Sequence, residues 1–571
     1  MLLKFLESFE DYVFVVSFFE KNELGKIKYY KRKLSFLKSF VWERLGSDDK
    51  KEINYSEKFW DKNLISKFEE FKKFRTIKKF KSKIISYILN EILGFKIDID
   101  FEKLNFDIST LSDLKNINHE FFISLHDLLR KEGYYISYHL LFEKFYQIAN
   151  FLINFKYGKG FFYEVYGFYS FIKKELRGRG VNFVESGSVL RFDRIIENIC
   201  FIVREPNFCP VKFLQSIEVS FEIDRMISIE KEKIFIFKTN LCKVPLIFVI
   251  SEDYLPYYVY FLFNGRYFPD NFIKHTNDEL ESFLSKWREL KIYSLDSFFD
   301  YLGVNPIPPE LVDYPNIFEI AKQDDFQDLV NFEDIKGDLH VHTNFSDGRN
   351  TLEEIVKYCK KKGYEYVGIS DHVDYFLERA EEYANLRELD GLRIFWAVEE
   401  NIDPNGDLFS DKNQQAMELV KKLDYLNLSI HSDFKLSEEL NFRRLKNALE
   451  KQKGLILCHL TTRVLGIRDP INLSNEKIFE IFDYANSKGK FIEINSHLDR
   501  LDIDYQLIID YRLLKNREIN IVINTDAHSL EQLDYMEWGV KWARKAFVKK
   551  NNVLNTKSLA IFLYSILSKY P

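Results

Sequence analysis

Two histidines two residues apart, His340 and His342, close the apolar run Gly337-Asp338-Leu339-His340-Val341-His342 and lead into the polar turn Thr343-Asn344-Phe345-Ser346-Asp347-Gly348. On a strand both rings leave the same face. Neutral imidazole is the commonest metal ligand, and Asp347 adds a hard oxygen donor a few residues on. One His-x-His pair is more often a surface or hydrogen-bonded core feature than a metal site. This pair has company: Ser370-Asp371-His372, Val398-Glu399-Glu400, Ser429-Ile430-His431, Cys458-His459-Leu460 and Thr525-Asp526-Ala527-His528 each close a short apolar run.

The elements that carry these residues alternate regularly. Apolar strands are predicted near 337–343, 366–371, 394–400, 425–431, 454–459, 491–495 and 520–526. Helical stretches at Leu352–Lys362, Glu438–Gln452, Asn475–Ser487 and Tyr505–Lys515 separate them. Seven strand–helix units imply a parallel barrel, and in such barrels active groups gather at the carboxyl ends of strands. Residues 1–155 read as helical, with apolar residues at helical spacing. Residues 156–305 read as mixed α/β, with strands expected at Val181–Val184, Ile199–Val203, Ile234–Phe237 and Pro245–Ile250. A connector rich in Pro and acids fills 306–334.

This set of motifs resembles the polymerase and histidinol phosphatase (PHP) domain, and more narrowly the PHP domain attached to bacterial family X DNA polymerases. The lead-in segments Ile307–Leu311 and Leu329–Asp338 are similar to that family's connector. The resemblance implies a C-terminal (β/α)7 barrel over 335–571. Its ligand positions fall on His340, His342, Asp347, His372, Glu399, His431, His459, Asp526 and His528, all of the expected type. It also implies three divalent ions bridged by Glu399. His, Asp and Glu without thiolate suit Mn²⁺, Zn²⁺ or Fe²⁺. The strand ending Glu493-Ile494-Asn495-Ser496-His497 is expected to form the pocket wall. Cys458, next to His459, is expected to point to the opposite face. Arg463 and Arg468, just after His459, and Arg500, after the strand without a ligand, are candidate phosphate contacts, because guanidinium suits bidentate phosphate binding. Surface salt bridging is the plain alternative for each.

In the same family, helix-hairpin-helix repeats grip DNA through Gly-x-Gly turns. At the matching places this chain has Phe74–Phe80 and Leu114–His119, without the glycines. The backbone there cannot take positive φ cheaply or approach a phosphate closely. Around the first of them, Lys67–Lys83 carries eight basic residues against Glu69 and Glu70, a solvated helix face or a phosphate-tracking patch. Gly187-Ser188-Val189-Leu190-Arg191 resembles the Gly-Ser signature of a nucleotidyltransferase palm. The carboxylates that should follow are replaced by Asn198, Cys200 and Pro245. Two-metal phosphoryl transfer needs those charges, so the palm is expected to be a retained scaffold without polymerase chemistry.

The totals constrain little. A net charge of −6 over 571 residues neither announces nor excludes a nucleic-acid binder. Five cysteines, Cys200, Cys209, Cys242, Cys359 and Cys458, show no C-x-x-C spacing, which suits reduced thiols in a cytoplasm. No apolar run approaches a membrane span, and the N-terminus carries acids too early for a signal peptide.

The function expected from these residues is metal-dependent phosphoester hydrolysis. The resemblance adds DNA, as ends or single strands, and a 3′-5′ exonuclease role in repair. A phosphatase for a small phosphomonoester and a non-catalytic DNA-end-binding scaffold are the alternatives.

Overall fold

The computed structural model describes residues 160–263 (apart from 194, 230 and 240), 279–376, 386–465 and 468–565, together with the stretch 119–132 and scattered positions around it. The candidate DNA-grip segments 67–83 and 114–118 lie outside the described residues. The chain divides into two compact units, 1–291 and 292–571.

In the first unit a mixed five-stranded sheet is built from β1 (Phe183–Ser186), β2 (Ile199–Val203), β3 (Phe221–Ile229), β4 (Glu232–Thr239) and β5 (Cys242–Ile250), in the order β1-β2-β5-β4-β3. β2 and β5 run parallel with Ile199 opposite Leu246, and the remaining pairs are antiparallel. β2 is buried along its whole length, as the continuous apolar run Ile-Cys-Phe-Ile-Val requires. The edge strand β3 was not expected from the sequence. Its Met226 and Ile223 are exposed, so no buried face marks it.

The second unit is the expected barrel. β6 (Gly337–Val341), β7 (Tyr366–Ile369), β8 (Leu392–Asn401), β9 (Tyr425–Ser429), β10 (Gly454–Leu457), β11 (Phe491–Asn495) and β12 (Ile521–Asn524) lie side by side in sequence order, every pair parallel. A parallel bridge from Val341 to Ala527 and a hydrogen bond from Leu339 N to Asn524 Oδ1 (3.0 Å) nearly close the ring. Helices Asn475–Ser487 and Tyr505–Lys515 fall where the spacing predicts them. The helices Gln414–Lys422 and Met536–Lys545 were not anticipated.

Inside the barrel, Leu339, Phe395, Ala397, Tyr425, Ile456 and Val522 form an apolar floor beneath the strand ends. Tyr425 Oη crosses it to donate to Leu339 O (2.7 Å). Gly368 makes that crossing possible, since a Cβ there would stand 2.0 Å from the Tyr425 hydroxyl and 2.9 Å from the Leu339 Cα. The connector packs on the barrel as well. Val330 N donates to Val548 O (3.1 Å), and Lys545 pairs with Asp313 (3.0 Å). Among the described residues, no helix is long and apolar enough to cross a membrane.

Candidate metal centre

β6 ends on His340 and His342, and the turn after it is held by a buried carboxylate. Asp371, after β7, accepts from Thr343 N (2.7 Å), Thr343 Oγ1 (2.7 Å) and Ser346 Oγ (2.6 Å). The helix that follows, Leu352–Lys361, starts on a capping box. Thr351 Oγ1 accepts from Glu354 N, and Glu354 Oε2 accepts from Thr351 N. Asp347 is thereby fixed between two anchored ends.

Eight of the nine proposed ligands fall into three overlapping groups whose donor atoms lie within 4.8 Å of one another. These are His342, Asp347, His372 and His528; His340, His342, Glu399 and Asp526; and His372, Glu399 and His431. His459 stands outside those groups but has its Nε2 2.8 Å from Glu399 Oε1. Glu399 is the junction, with His431 Nε2 at 3.1 Å, His372 Nδ1 at 3.3 Å and His342 Nε2 at 3.5 Å. Asp526 Oδ1 lies 3.2 Å from His342 Nε2 and 3.4 Å from His340 Nε2. Two donors bound about 2.1 Å from a common ion stand about 3.0–3.4 Å apart, so these spacings fit a coordination shell. Four buried imidazole nitrogens, His340 Nε2, both nitrogens of His342 and His459 Nδ1, have no hydrogen-bond partner among the described residues. A buried polar atom left unpaired is costly, and a cation removes that cost.

The electrostatics agree. Burial pushes the Glu399 carboxyl up, but His431, His372 and His340 hold it well below the usual carboxylate range. Asp526, opposed by burial in the same way, is held well below by His340, His342 and His528. Burial lowers His372, yet Glu399 and Asp347 bring it to about 9. Burial and the neighbouring His528 lower His342.

β11 contributes more than a wall. Glu493 is buried, and its Oε1 pairs with His340 Nδ1 (2.8 Å) and accepts from Asn524 Nδ2 (3.0 Å). Its Oε2 accepts from His459 N (2.9 Å) and Asn495 Nδ2 (3.1 Å). This carboxylate fixes the His340 tautomer and turns Nε2 toward the centre. The sequence offered a signal that was not used, an acid and an amide alternating inward in an otherwise apolar buried strand.

Two expectations change. Cys458 does not point away, because its sulfur groups with His340 and Glu493. β10 ends at Leu457 and His459 takes φ +28°, so strand alternation no longer governs the pair. Burial pushes the Cys458 thiol well above its usual range. Arg463 is not offered to substrate. Its guanidinium donates to Asp504 (2.6 Å), Arg500 O (2.9 Å) and Leu501 O, and so pins the loop after β11. Arg468 stacks on Phe434 (4.2 Å) and donates from Nε to Thr462 O (2.7 Å). Arg500 does turn toward the centre. Its Nε is 3.6 Å from Asp526 Oδ2, and its Nη1 is buried without a hydrogen-bond partner among the described residues.

In the first unit the three positions expected to have lost carboxylates do sit together. The β2–β5 register sets Asn198 beside Pro245, with Cys200 one step further along the same face. Pro245 lies opposite the register shift between Phe237 and Thr239, where a missing N–H is tolerated. Gly187 has φ +77°, and a Cβ there would stand 2.4 Å from Asn198 Oδ1, so Gly alone fits. Ser188 Oγ is tied to Asn198 O (2.8 Å). Among the described residues, no group with ligand spacing occurs in this unit.

Residues 338–497 match the family model described as the PHP domain. The C-terminal unit carries a PHP domain. The chain is 33% identical over 288 residues to the DNA polymerase/3'-5' exonuclease PolX of Bacillus subtilis, a match covering 48% of each chain. It therefore spans about half the length of that curated relative. It is 26% identical over 206 residues to a probable histidinol-phosphatase of Thermotoga maritima, covering 34% of this chain and 85% of that one. A solved histidinol phosphate phosphatase from Lactococcus lactis, complexed with zinc, L-histidinol and phosphate, aligns with 36% of this chain and 93% of its own at 18% identity and a TM-score of 0.27.

Proposed function

We propose that the protein is a 3′-5′ DNA exonuclease acting in end repair in the cytoplasm, with a polymerase-like region that has lost its chemistry. In this reading His340, His342, Asp347, His372, Glu399, His431, His459, Asp526 and His528 hold as many as three divalent ions, Mn²⁺, Zn²⁺ or Fe²⁺. The observation that carries it is the overlap of three donor groups, two of which share Glu399, beside buried imidazole nitrogens without a hydrogen-bond partner among the described residues. Ions bound there supply positive charge to phosphate oxygens and acidify water at neutral pH. The chain's own part is orientation. Glu493 holds His340, Asp371 holds the turn bearing Asp347, and the apolar floor keeps water out from below. Arg500 Nη1 donates to a non-bridging phosphate oxygen, and Arg468 serves the rim. The DNA part of the reading rests on the likeness to the Bacillus subtilis polymerase/exonuclease.

The test is the full chain reconstituted with Mn²⁺ and offered end-labelled single-stranded DNA and a generic phosphomonoester side by side. Shortening from the 3′ end faster than monoester turnover is expected. The reverse preference would favour a small-molecule phosphatase, a reading supported by the Thermotoga maritima relative, most of whose length is matched. Tight DNA binding in EDTA, with no hydrolysis after metal return, would leave only an end-binding scaffold.

A further inference from the structure

Six of the seven histidines after residue 335 belong to the strand-end centre, and His497 is the seventh. It follows β11 directly and is tied to the centre through one amide. Asn495 Oδ1 accepts from His497 N (3.0 Å), while Asn495 Nδ2 donates to Asp526 Oδ2 (3.1 Å). The turn closes on itself, since Arg500 N and Leu501 N both donate to His497 O (2.8 and 2.9 Å). Two side chains leave this one turn with different tasks. Arg500 reaches Asp526, as described. His497 pairs its Nδ1 with Asp499 Oδ1 at 2.5 Å, and its ring meets Tyr535 edge-on at 5.5 Å. Nε2 makes no hydrogen bond among the described residues, and the side chain is 23% exposed.

An imidazole pinned at Nδ1 by a carboxylate, on a turn tied to the donor centre through Asn495 and with Nε2 making no hydrogen bond among the described residues, has the arrangement of an oriented acid–base group. We propose that His497 is the proton donor to the leaving-group oxygen, oriented by Asp499. The proposal rests on the phosphoester reading above. As water adds to phosphorus and the P–O bond to the sugar breaks, the departing oxygen takes the Nε2 proton and leaves as an alcohol. His497 becomes the neutral imidazole with Nδ1–H still on Asp499. The water's proton passes to solvent, which returns one to His497, so the sum is ester plus water giving alcohol plus phosphate. The groups facing His497 are Asp499 and Arg500 from its own turn, Tyr535 from the 3₁₀ helix Leu530–Tyr535, and Asp526 beyond Asn495. Burial pushes the Asp499 carboxyl up, but His497 and Arg500 hold it below the usual range, so an anion is in place to stabilise the imidazolium.

The test compares two phosphodiesters in the Mn²⁺-loaded full chain, a dinucleotide with a sugar alkoxide leaving group and the 4-nitrophenyl ester of a nucleoside 5′-phosphate. A nitrophenolate departs without a proton, so loss of a proton donor spares it. His497→Gln is expected to lose about a hundredfold or more on the dinucleotide and no more than a few-fold on the nitrophenyl ester. Asp499→Asn keeps the imidazole but frees its orientation. It should show the same selectivity to a smaller degree, and it decides the matter if His497→Gln does not fold. Equal losses on both esters, or no loss on the dinucleotide, would overturn the proposal. An inactive wild type would instead overturn the phosphoester reading, and the proposal with it. A readout independent of activity is the long-range ¹H–¹⁵N spectrum of the metal-free protein at a pH where His497 is neutral. His497 should carry its proton on Nδ1 and lose that preference in Asp499→Asn. A proton on Nε2 in the wild type would rule out the oriented donor.

Discussion

At the carboxyl ends of the barrel strands the second unit assembles nine His, Asp and Glu side chains, Glu399 among them, in overlapping groups. In the first unit, the parallel pair β2 and β5 brings three positions just as surely together, but they hold Asn198, Cys200 and Pro245. The backbone devices of that unit persist. Gly187 keeps its left-handed turn, and Ser188 still ties the turn to Asn198. Strand pairing there is driven by Phe201, Ile202, Phe248 and their neighbours, all buried, and these do not depend on a charge at 198 or 200. Burial can therefore hold a geometry without the charges that holding ions would require. In the barrel the two are interlocked, since Glu493 and Asn495 are at once strand residues and supports of the centre.

The hardest test of that contrast is removal of a donor. Asp526→Ala, or His342→Ala, should lower hydrolysis of DNA and of a phosphomonoester by about a thousandfold or more, which corresponds to about 4 kcal/mol of lost charge stabilisation. Circular dichroism should show the secondary structure of both units retained. Near-native activity in either folded variant would break the assignment of the centre. Loss on one substrate alone would make the residue a determinant of substrate choice.

The foot of the barrel offers a stability test of the same unit. Lys490, buried just before β11, donates from Nζ to Lys451 O and Gly454 O (2.5 Å each). Burial lowers its ammonium to about 8 from an ordinary 10.5, partly offset by Glu450. The unfolded chain thus binds more protons than the folded one between pH 8 and 10.5, and stability from this group rises with pH across that window. The rise amounts to at most about 3 kcal/mol. Urea unfolding across that range should show the wild type gaining stability relative to Lys490→Met, while hydrolysis at pH 7 stays unchanged. Parallel pH profiles would mean that the ammonium is solvated.

Between these lies Glu493→Gln, which keeps size but removes the charge opposite His340. Metal affinity, read by competition with a chelating dye, should fall about ten- to a hundredfold, or about 1–3 kcal/mol. No change would reduce Glu493 to a packing residue and weaken the claim that strand and site are interlocked.

What could be read from the sequence follows the same division. Parallel strands buried on both faces appear as short apolar runs, so all seven barrel strands were legible, as were the candidate donors that end six of them. Side chains beyond a strand end were not, because direction there depends on backbone turns such as His459 at φ +28° and Thr462 at φ +55°. The directions of Arg463 and Cys458 are set by those turns and not by strand alternation. Glu493 escaped because its partner His340 lies 153 residues away in the chain. β3 escaped because its exposed edge carries no buried face to betray it.

The smallest expected effect is the most direct comparison of the two units. Asn198→Ala with Cys200→Ala changes both surviving side chains at the silent positions. Cys200 is buried and its thiol is pushed well above its usual range by that burial, so it contributes no charge, and Asn198 Oδ1 has no partner. Removing the sulfur leaves a small void costing about 1 kcal/mol, which should appear as a slightly lower melting temperature. Hydrolysis should stay within twofold of wild type, because nothing at these positions can hold an ion. Primer extension with Mg²⁺ or Mn²⁺ should be absent in both proteins. Extension by the wild type that disappears on replacing an acid between 156 and 305 would reveal a working carboxylate site in the first unit. The contrast between the barrel's donor cluster and the uncharged positions of the first unit would then be wrong on the first unit's side.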